Sequence, residues 1–325
     1  MRRIKILMTV AILMVGLASC VKEIEFKGEQ SEPMLVVNGV QQVGMPSRLC
    51  VEKSQFFMDL GNDYRVKDVT VDLYVNGVFK ESLKVCDSLI SEIHWVWDEE
   101  TQEEHEELYL EYAFNYCEGE YVLCAGDQLR YVVSSSEVET ATVEVTMPEV
   151  PNVVSFDTVS VDQNNNVISF ALVLDDPAGR DFYNLYPRDA MSGFTSSDPV
   201  FAELLNFELE ELVGESNDYY GYGYYNVFDD TYFNGKRYTV SMKKAVWGLA
   251  DSEPFVLEVS RVDEHLYRYK KTYEAYSESD PNGLLGMFTE PVQVYSNVQN
   301  GAGIVAAQSQ PVIFSIDLSN LWNDE

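Results

Sequence analysis

Period-two alternation of apolar side chains constrains the fold of this chain more than any other feature. Val69, Val71, Leu73 and Val75 alternate with Thr70, Asp72 and Tyr74, and Asn76-Gly77 follows before Val78 and Phe79. Apolar residues two apart share one face of a strand, and Asn-Gly supplies the positive φ values of a two-residue hairpin turn. The same alternation recurs at Leu108, Leu110, Tyr112 and Phe114, at Leu129, Tyr131 and Val133, and at Ala141, Val143 and Val145. Short alternating strands with no helical pattern between them predict an antiparallel, immunoglobulin-like β-sandwich. The 46% apolar content is enough to fill real cores.

This run ends at Met147-Pro148-Glu149-Val150-Pro151. Two prolines three residues apart make a stiff, extended segment, which places a domain junction between 147 and 148. The organisation read from sequence is a β-sandwich over 33–147 and a second, mainly-β domain over 148–325 that carries two helices. In that second part Ile168, Phe170, Leu172 and Leu174 alternate after the polar run Asp162–Asn166. A helix is predicted over 199–213, with Asp198 before Pro199 at its first position, Phe201, Leu204, Leu205 and Leu212 inward, and Gly214 at its end. A second helix is predicted over 261–277, beginning at Ser260, because Val262, Leu266, Tyr269, Tyr273 and Tyr276 recur every three or four residues. Strand-like runs follow at Val292–Tyr295 and Pro311–Ile316.

The N-terminus has a different character. Arg2, Arg3 and Lys5 precede an apolar run from Ile6 to Leu17, too short to span a bilayer and arranged like a secretory signal. Leu17-Ala18-Ser19-Cys20 closes it, and small residues before a Cys resemble the lipobox of bacterial lipoproteins. The expectation is cleavage after residue 19, lipid (palmitate among the acyl chains) on Cys20, and a polar tether over 20–32. Without the three basic residues of that segment, 19 Lys and Arg stand against 54 Asp and Glu, a net charge of −35. Such a surface repels nucleic acid and anionic headgroups, so attachment to a membrane would rest on the lipid alone. Export permits disulfides, and the four remaining cysteines (Cys50, Cys86, Cys117 and Cys124) allow three pairings. Cys117 and Cys124 are close enough in sequence to close a hairpin, with buried free thiols as the alternative.

Several segments together resemble a family of Bacteroidota envelope lipoproteins known as domain of unknown function 4249. They are Met34–Gly39, Val69–Gly77 (where Val69 stands for the usual Ala), Ala125-Gly126-Asp127, Thr140-Ala141-Thr142, Met147-Pro148, Phe228-Asp229-Asp230 through Phe233-Asn234-Gly235-Lys236, and Glu290-Pro291-Val292 through Ser296–Ile304. The resemblance implies an outer-membrane lipoprotein, exposed at the cell surface, working beside a TonB-dependent receptor; it implies no catalytic residues. Physics offers a plain reason for its glycines. Asn234-Gly235 suits a turn, and Gly301 and Gly303 suit a place where backbone turns tightly or approaches another strand.

Candidate sites are few. Tyr219, Tyr220, Tyr222, Tyr224 and Tyr225, spaced by Gly221 and Gly223, form the best recognition surface, because tyrosine offers a flat apolar face and a hydroxyl at low entropic cost. Such rings would stack on a sugar or a partner protein, or pack on their own domain. The acidic run Asp98–Glu107 lacks the spaced ligands and turn Gly of a calcium loop, and Asp162–Asn166 reads as a polar hairpin turn. His94, His105 and His265 share no motif with a nucleophile, and neither Ser192-Gly193 nor Ser134–Ser136 lies in a nucleophile elbow. The sequence therefore nominates no catalytic residue, no metal site and no cofactor. It predicts a non-enzymatic accessory or ligand-capture subunit, with an independent glycan-binding or adhesin lipoprotein as the alternative and a hydrolase third.

Overall fold

The hairpin read at Asn76-Gly77 forms as its residues dictate. Asn76 (φ 53°) and Gly77 (φ 80°) both take positive φ, and Val75 pairs with Val78 across the turn. In the computed structural model the described residues are 32–56, 61–98, 103–165, 167–189, 203–204, 226–245, 254–279 and 292–317. Up to residue 147 the strands are β1 (Leu35–Gln42), β2 (Pro46–Lys53), β3 (Thr70–Val75), β4 (Val78–Ser82), β5 (Lys84–Asp98), β6 (Glu103–Val122), β7 (Gln128–Ser134) and β8 (Ala141–Thr146). Then come β9 (Val153–Asp162), β10 (Val167–Asp175), β11 (Phe182–Asp189), β12 (Glu203–Leu204), β13 (Asn226–Asp229), β14 (Arg237–Ala245) and β15 (Phe255–Val262). A helix, α1 (Glu264–Glu278), precedes β16 (Gly301–Ala302), β17 (Val305–Gln308) and β18 (Val312–Ile316). The protein is mainly β, with one helix among the described residues.

Three sheets carry these strands. The largest runs β13-β11-β15-β17-β1-β2-β6-β5, with β16 also on β1 and β18 also on β15; the others run β12-β14-β10-β9 and β4-β3-β7-β8. Alternation sets which side chains each sheet buries. Leu129, Tyr131 and Val133 of β7 and Ala141, Val143 and Val145 of β8 meet Leu35, Val37, Leu49 and Val51 of the large sheet in one core. Ile168, Phe170, Leu172 and Leu174 of β10 meet Tyr183, Leu185, Phe255, Leu257 and Val259 in a second. There the Phe170 and Phe255 rings stack at 4.8 Å.

Neither the first core nor the large sheet ends at the expected junction at 147/148, since Val298, Val305 and Ala307 belong to the first core. β17 lies between β15 and β1, pairing in parallel with β1 from Gly39↔Val305 to Gln42↔Gln308. Its side chains alternate between cores. Val305 and Ala307 join the first, while Ala306 joins a third, small cluster with Phe182, Val227, Val262, Leu266 and Ile304. The close approach of this segment to β1 explains the glycines of the C-terminal signature. A Cβ on Gly301 would lie 2.6 Å from the Leu35 carbonyl oxygen, and one on Gly303 (φ 102°) would run into that of Val37. Asn297 donates to the Val305 carbonyl (2.7 Å) and accepts from its N–H (3.1 Å), so this part of the signature holds strands together.

Three expectations are corrected. Helix α1 begins at Glu264, not near Ser260: Ser260 and Val262 belong to β15, and Asp263 caps the helix by accepting the Leu266 N–H at 2.9 Å. Of the helix expected over 199–213, only Glu203 and Leu204 lie among the described residues, and they pair as a strand with Lys243 and Met242. Residues 292–298, expected to include a strand, have no regular structure and are tied to α1 through the Tyr295 N–H, which donates to Thr272 Oγ1 at 2.8 Å. The polar hairpin at Asp162 forms as expected, with Asp162 Oδ1 accepting the Asn164 and Asn165 N–H groups at 3.0 and 3.1 Å.

Candidate metal centre

The most unusual chemistry lies where the second core opens onto its loops. Asp176 follows β10, Asp181 precedes β11, and Asp230 follows β13. The two intervening connections, 176–181 and 230–236, therefore present their carboxylates at one end of the core. All three residues are buried, and one ligand atom from each lies within 4.8 Å of the others. Backbone bonds fix the arrangement: the Asp230 N–H donates to the Asp181 carbonyl (3.1 Å), and the Asp176 N–H to the Lys236 carbonyl (3.1 Å). Gly235, at φ 69°, turns its N–H onto Asp176 Oδ2 at 2.8 Å.

The three carboxylates are not equally supplied with partners. Asp176 Oδ1 accepts the Tyr183 hydroxyl at 2.5 Å, a bond that together with burial pushes the Tyr183 pKa up. Asp181 forms an ion pair with Arg261 of β15. Asp230, only 2% exposed, has an Oδ2 with no hydrogen-bond partner. Burial, and next the charge of Asp176, push its carboxyl up to about 6. A buried carboxylate without a partner costs several kcal/mol unless it takes a proton or meets a cation. The neighbouring Asp229 is served separately, by Arg180 at 3.8 Å and by the Thr231 N–H at 3.1 Å.

A second buried acid lies between β15 and α1. Asp263 Oδ2 also has no partner, and burial pushes this carboxyl up to about 7 despite the backbone N–H groups that face it. On α1, His265 Nδ1 lies 2.8 Å from the Tyr295 hydroxyl and the two rings stack at 6.0 Å. That arrangement fastens the 292–300 segment to α1.

The residues singled out from sequence are scattered. Cys20 and Tyr219, Tyr220, Tyr222, Tyr224 and Tyr225 lie outside the described residues, as does Ser192-Gly193. The expected Cys117–Cys124 bridge is not formed. The strand runs extended from Cys117 to Val122, and at ~3.3 Å per residue that holds the two cysteines beyond the ~7 Å Cα limit of a disulfide. Cys117 sits fully buried in the first core, which pushes its thiol up to about 12, and Cys124 is exposed. Sequence reasoning passed over the aspartates. Asp229-Asp230 lay within a segment resembling a known family, yet nothing local joined it to Asp176 or Asp181.

A family model described as Domain of unknown function (DUF4249) matches residues 21–311. The chain belongs to this family. No curated protein matches it. Among solved structures, a β-glycosidase from Bacteroides vulgatus is similar at 13% identity and a TM-score of 0.17. The match covers 71% of this chain but only 23% of the glycosidase, and at that score it carries no argument about fold or activity. No helix among the described residues is long and apolar enough to cross a membrane.

Proposed function

We propose that this protein is a lipid-anchored lipoprotein of the outer membrane, displayed at the cell surface, where it serves as a non-enzymatic accessory or ligand-capture subunit beside a TonB-dependent receptor. One observation carries the reading. Leu17-Ala18-Ser19-Cys20 stands in lipobox register behind a basic start and a short apolar run, and the family match begins at residue 21, directly behind that Cys. The resemblance to Bacteroidota envelope lipoproteins supplies the receptor as partner. The tyrosines between 219 and 225 are the proposed contact surface.

Lipid on Cys20 is the step to test. In the native host, Cys20→Ala should abolish metabolic labelling with a palmitate analogue and move the protein out of the membrane fraction. Retention of label and membrane association by that variant would defeat the anchor. Isolation of the wild-type protein from outer membrane in mild detergent should bring a barrel receptor with it, and recovery without one would defeat the accessory role.

A further inference from the structure

We propose that Asp176, Asp181 and Asp230 hold a divalent cation, calcium, that clamps the 176–181 connection to the 230–236 turn. The inference does not depend on how the protein is anchored. It rests first on charge. Three buried carboxylates converge, and the guanidinium in contact with them is that of Arg261, on Asp181. Arg180 pairs with Asp229 and Glu264 and acts on Asp230 only as a charge at longer range, too little to offset its burial. Among the described residues, Asp176 and Asp230 therefore have no cationic side chain in salt-bridge contact, in a site removed from water. Tyr183 and Gly235 offset part of the charge on Asp176 by hydrogen bonding. Asp230 is less well served: it is 2% exposed, and its Oδ2 has no donor among the described residues. That oxygen is what a cation would complete.

Geometry and donor type select the ion. Ligand atoms within 4.8 Å of one another fit around a single ion, since two ~2.4 Å calcium–oxygen bonds span about that distance. Magnesium asks for ~2.1 Å bonds and a near-octahedral set, a tighter demand than carboxylates drawn from two separate connections meet. The cluster offers oxygen only, with no imidazole or thiolate, which disfavours zinc and the later transition metals. The role would be mechanical: the two connections join the β10 and β14 side of the second core to β11 and β13, and one ion would pin them together.

The test uses the full chain in mild detergent, stripped with EGTA. Calcium should bind with one tight equivalent by calorimetry and raise the melting temperature by several degrees, as a ligand of the native state must; magnesium at equal concentration should do much less. Asp230→Asn should weaken calcium binding by about tenfold or more, while Asp162→Asn, at an exposed turn carboxylate, should leave it unchanged. Terbium gives a readout that needs no variant: tyrosine-sensitised emission, with Tyr183 beside the site, should appear at one equivalent and be displaced by calcium. Absence of a tight equivalent in the wild-type chain would overturn the assignment, whatever the variants do. So would a calcium response that survives intact in Asp230→Asn, which would belong to the acidic surface at large.

Discussion

The first core and the second bury polar groups in opposite ways. In the first, Gln41, Ser47 and Tyr131, each at most 1% exposed, close a network among neutral groups. Ser47 Oγ donates to Gln41 Oε1 at 2.8 Å, and the Tyr131 hydroxyl lies 2.6 Å from Ser47 Oγ and 3.1 Å from Gln41 Oε1. Gln41 Nε2 then donates to the Arg48 carbonyl at 2.8 Å, and Oε1 accepts the Arg48 N–H at 3.2 Å. At the edge of the second, Asp230 keeps an oxygen without a partner, and so does Asp263, which lies between β15 and α1 next to residues of the third cluster. The first arrangement needs nothing from outside the chain. The second is satisfied only by a proton or an ion. The network around Gln41 is thus complete within the chain, whereas the aspartates depend on solution chemistry.

The largest effect should come from opening the closed network. Gln41→Leu leaves the Ser47 and Tyr131 hydroxyls and the Arg48 carbonyl short of a buried partner, at ~1–3 kcal/mol for each group left unsatisfied. Urea unfolding should show a loss of about 3 kcal/mol or more, equal at pH 6 and pH 8 because no titrating group takes part. A pH-dependent loss would break the contrast. The same substitution made in both centres sharpens it further. Tyr183→Phe removes a bond to a carboxylate and should cost ~2 kcal/mol, whereas Tyr131→Phe removes a bond between neutral groups and should cost ~1 kcal/mol. Equal losses would erase this part of the contrast.

Asp263 gives the smallest change and one of opposite sign. Its carboxyl is raised from 3.8 to about 7, so the folded state resists its ionisation. The penalty is absent below pH ~4, grows as pH rises, and is fully present above pH ~7, where at ~1.4 kcal/mol per pKa unit it reaches at most about 4 kcal/mol. Asp263→Asn keeps an equally good helix cap and removes the ionisation. Because its amide also needs a partner at any pH, the net gain at pH 8 should be ~1 kcal/mol and should turn into a loss toward pH 4, where the wild-type carboxyl carries no penalty. Melting temperatures of variant and wild type across that range decide it, and a difference that does not change with pH would place the strain elsewhere.

What could be read from sequence follows from where each element lies. β7, β8 and β10 each bury one face, so period-two alternation names them and their core residues. β15 is covered on both faces, and its residues FVLEVSRV are buried almost without interruption. With no alternation to mark it, its apolar end at Val262 fell into register with Leu266 and was read as the first turn of α1. The cap at Asp263 was the signal that separates the two. The Asp176–Asp181–Asp230 cluster was illegible for a different reason. Its members come from two connections far apart in sequence, 176–181 and 230–236, brought together by the pairing of β11 with β13 and β10 with β14. In a chain with 54 acidic residues, an aspartate just past a strand end does not stand out.

The placement of β17 also has a consequence in time. Asn38 and Ile304, which bond across the β1–β17 seam, are 266 residues apart. A chain emerging N-terminus first exposes β1 long before its parallel partner exists, and the first core lacks Val305 and Ala307 until then. Closure over so long a loop is slow, and an unpaired strand edge accepts any other strand that reaches it. The large sheet and the first core therefore wait for β17, and a chain that stops short near residue 300 would present an open edge to its neighbours.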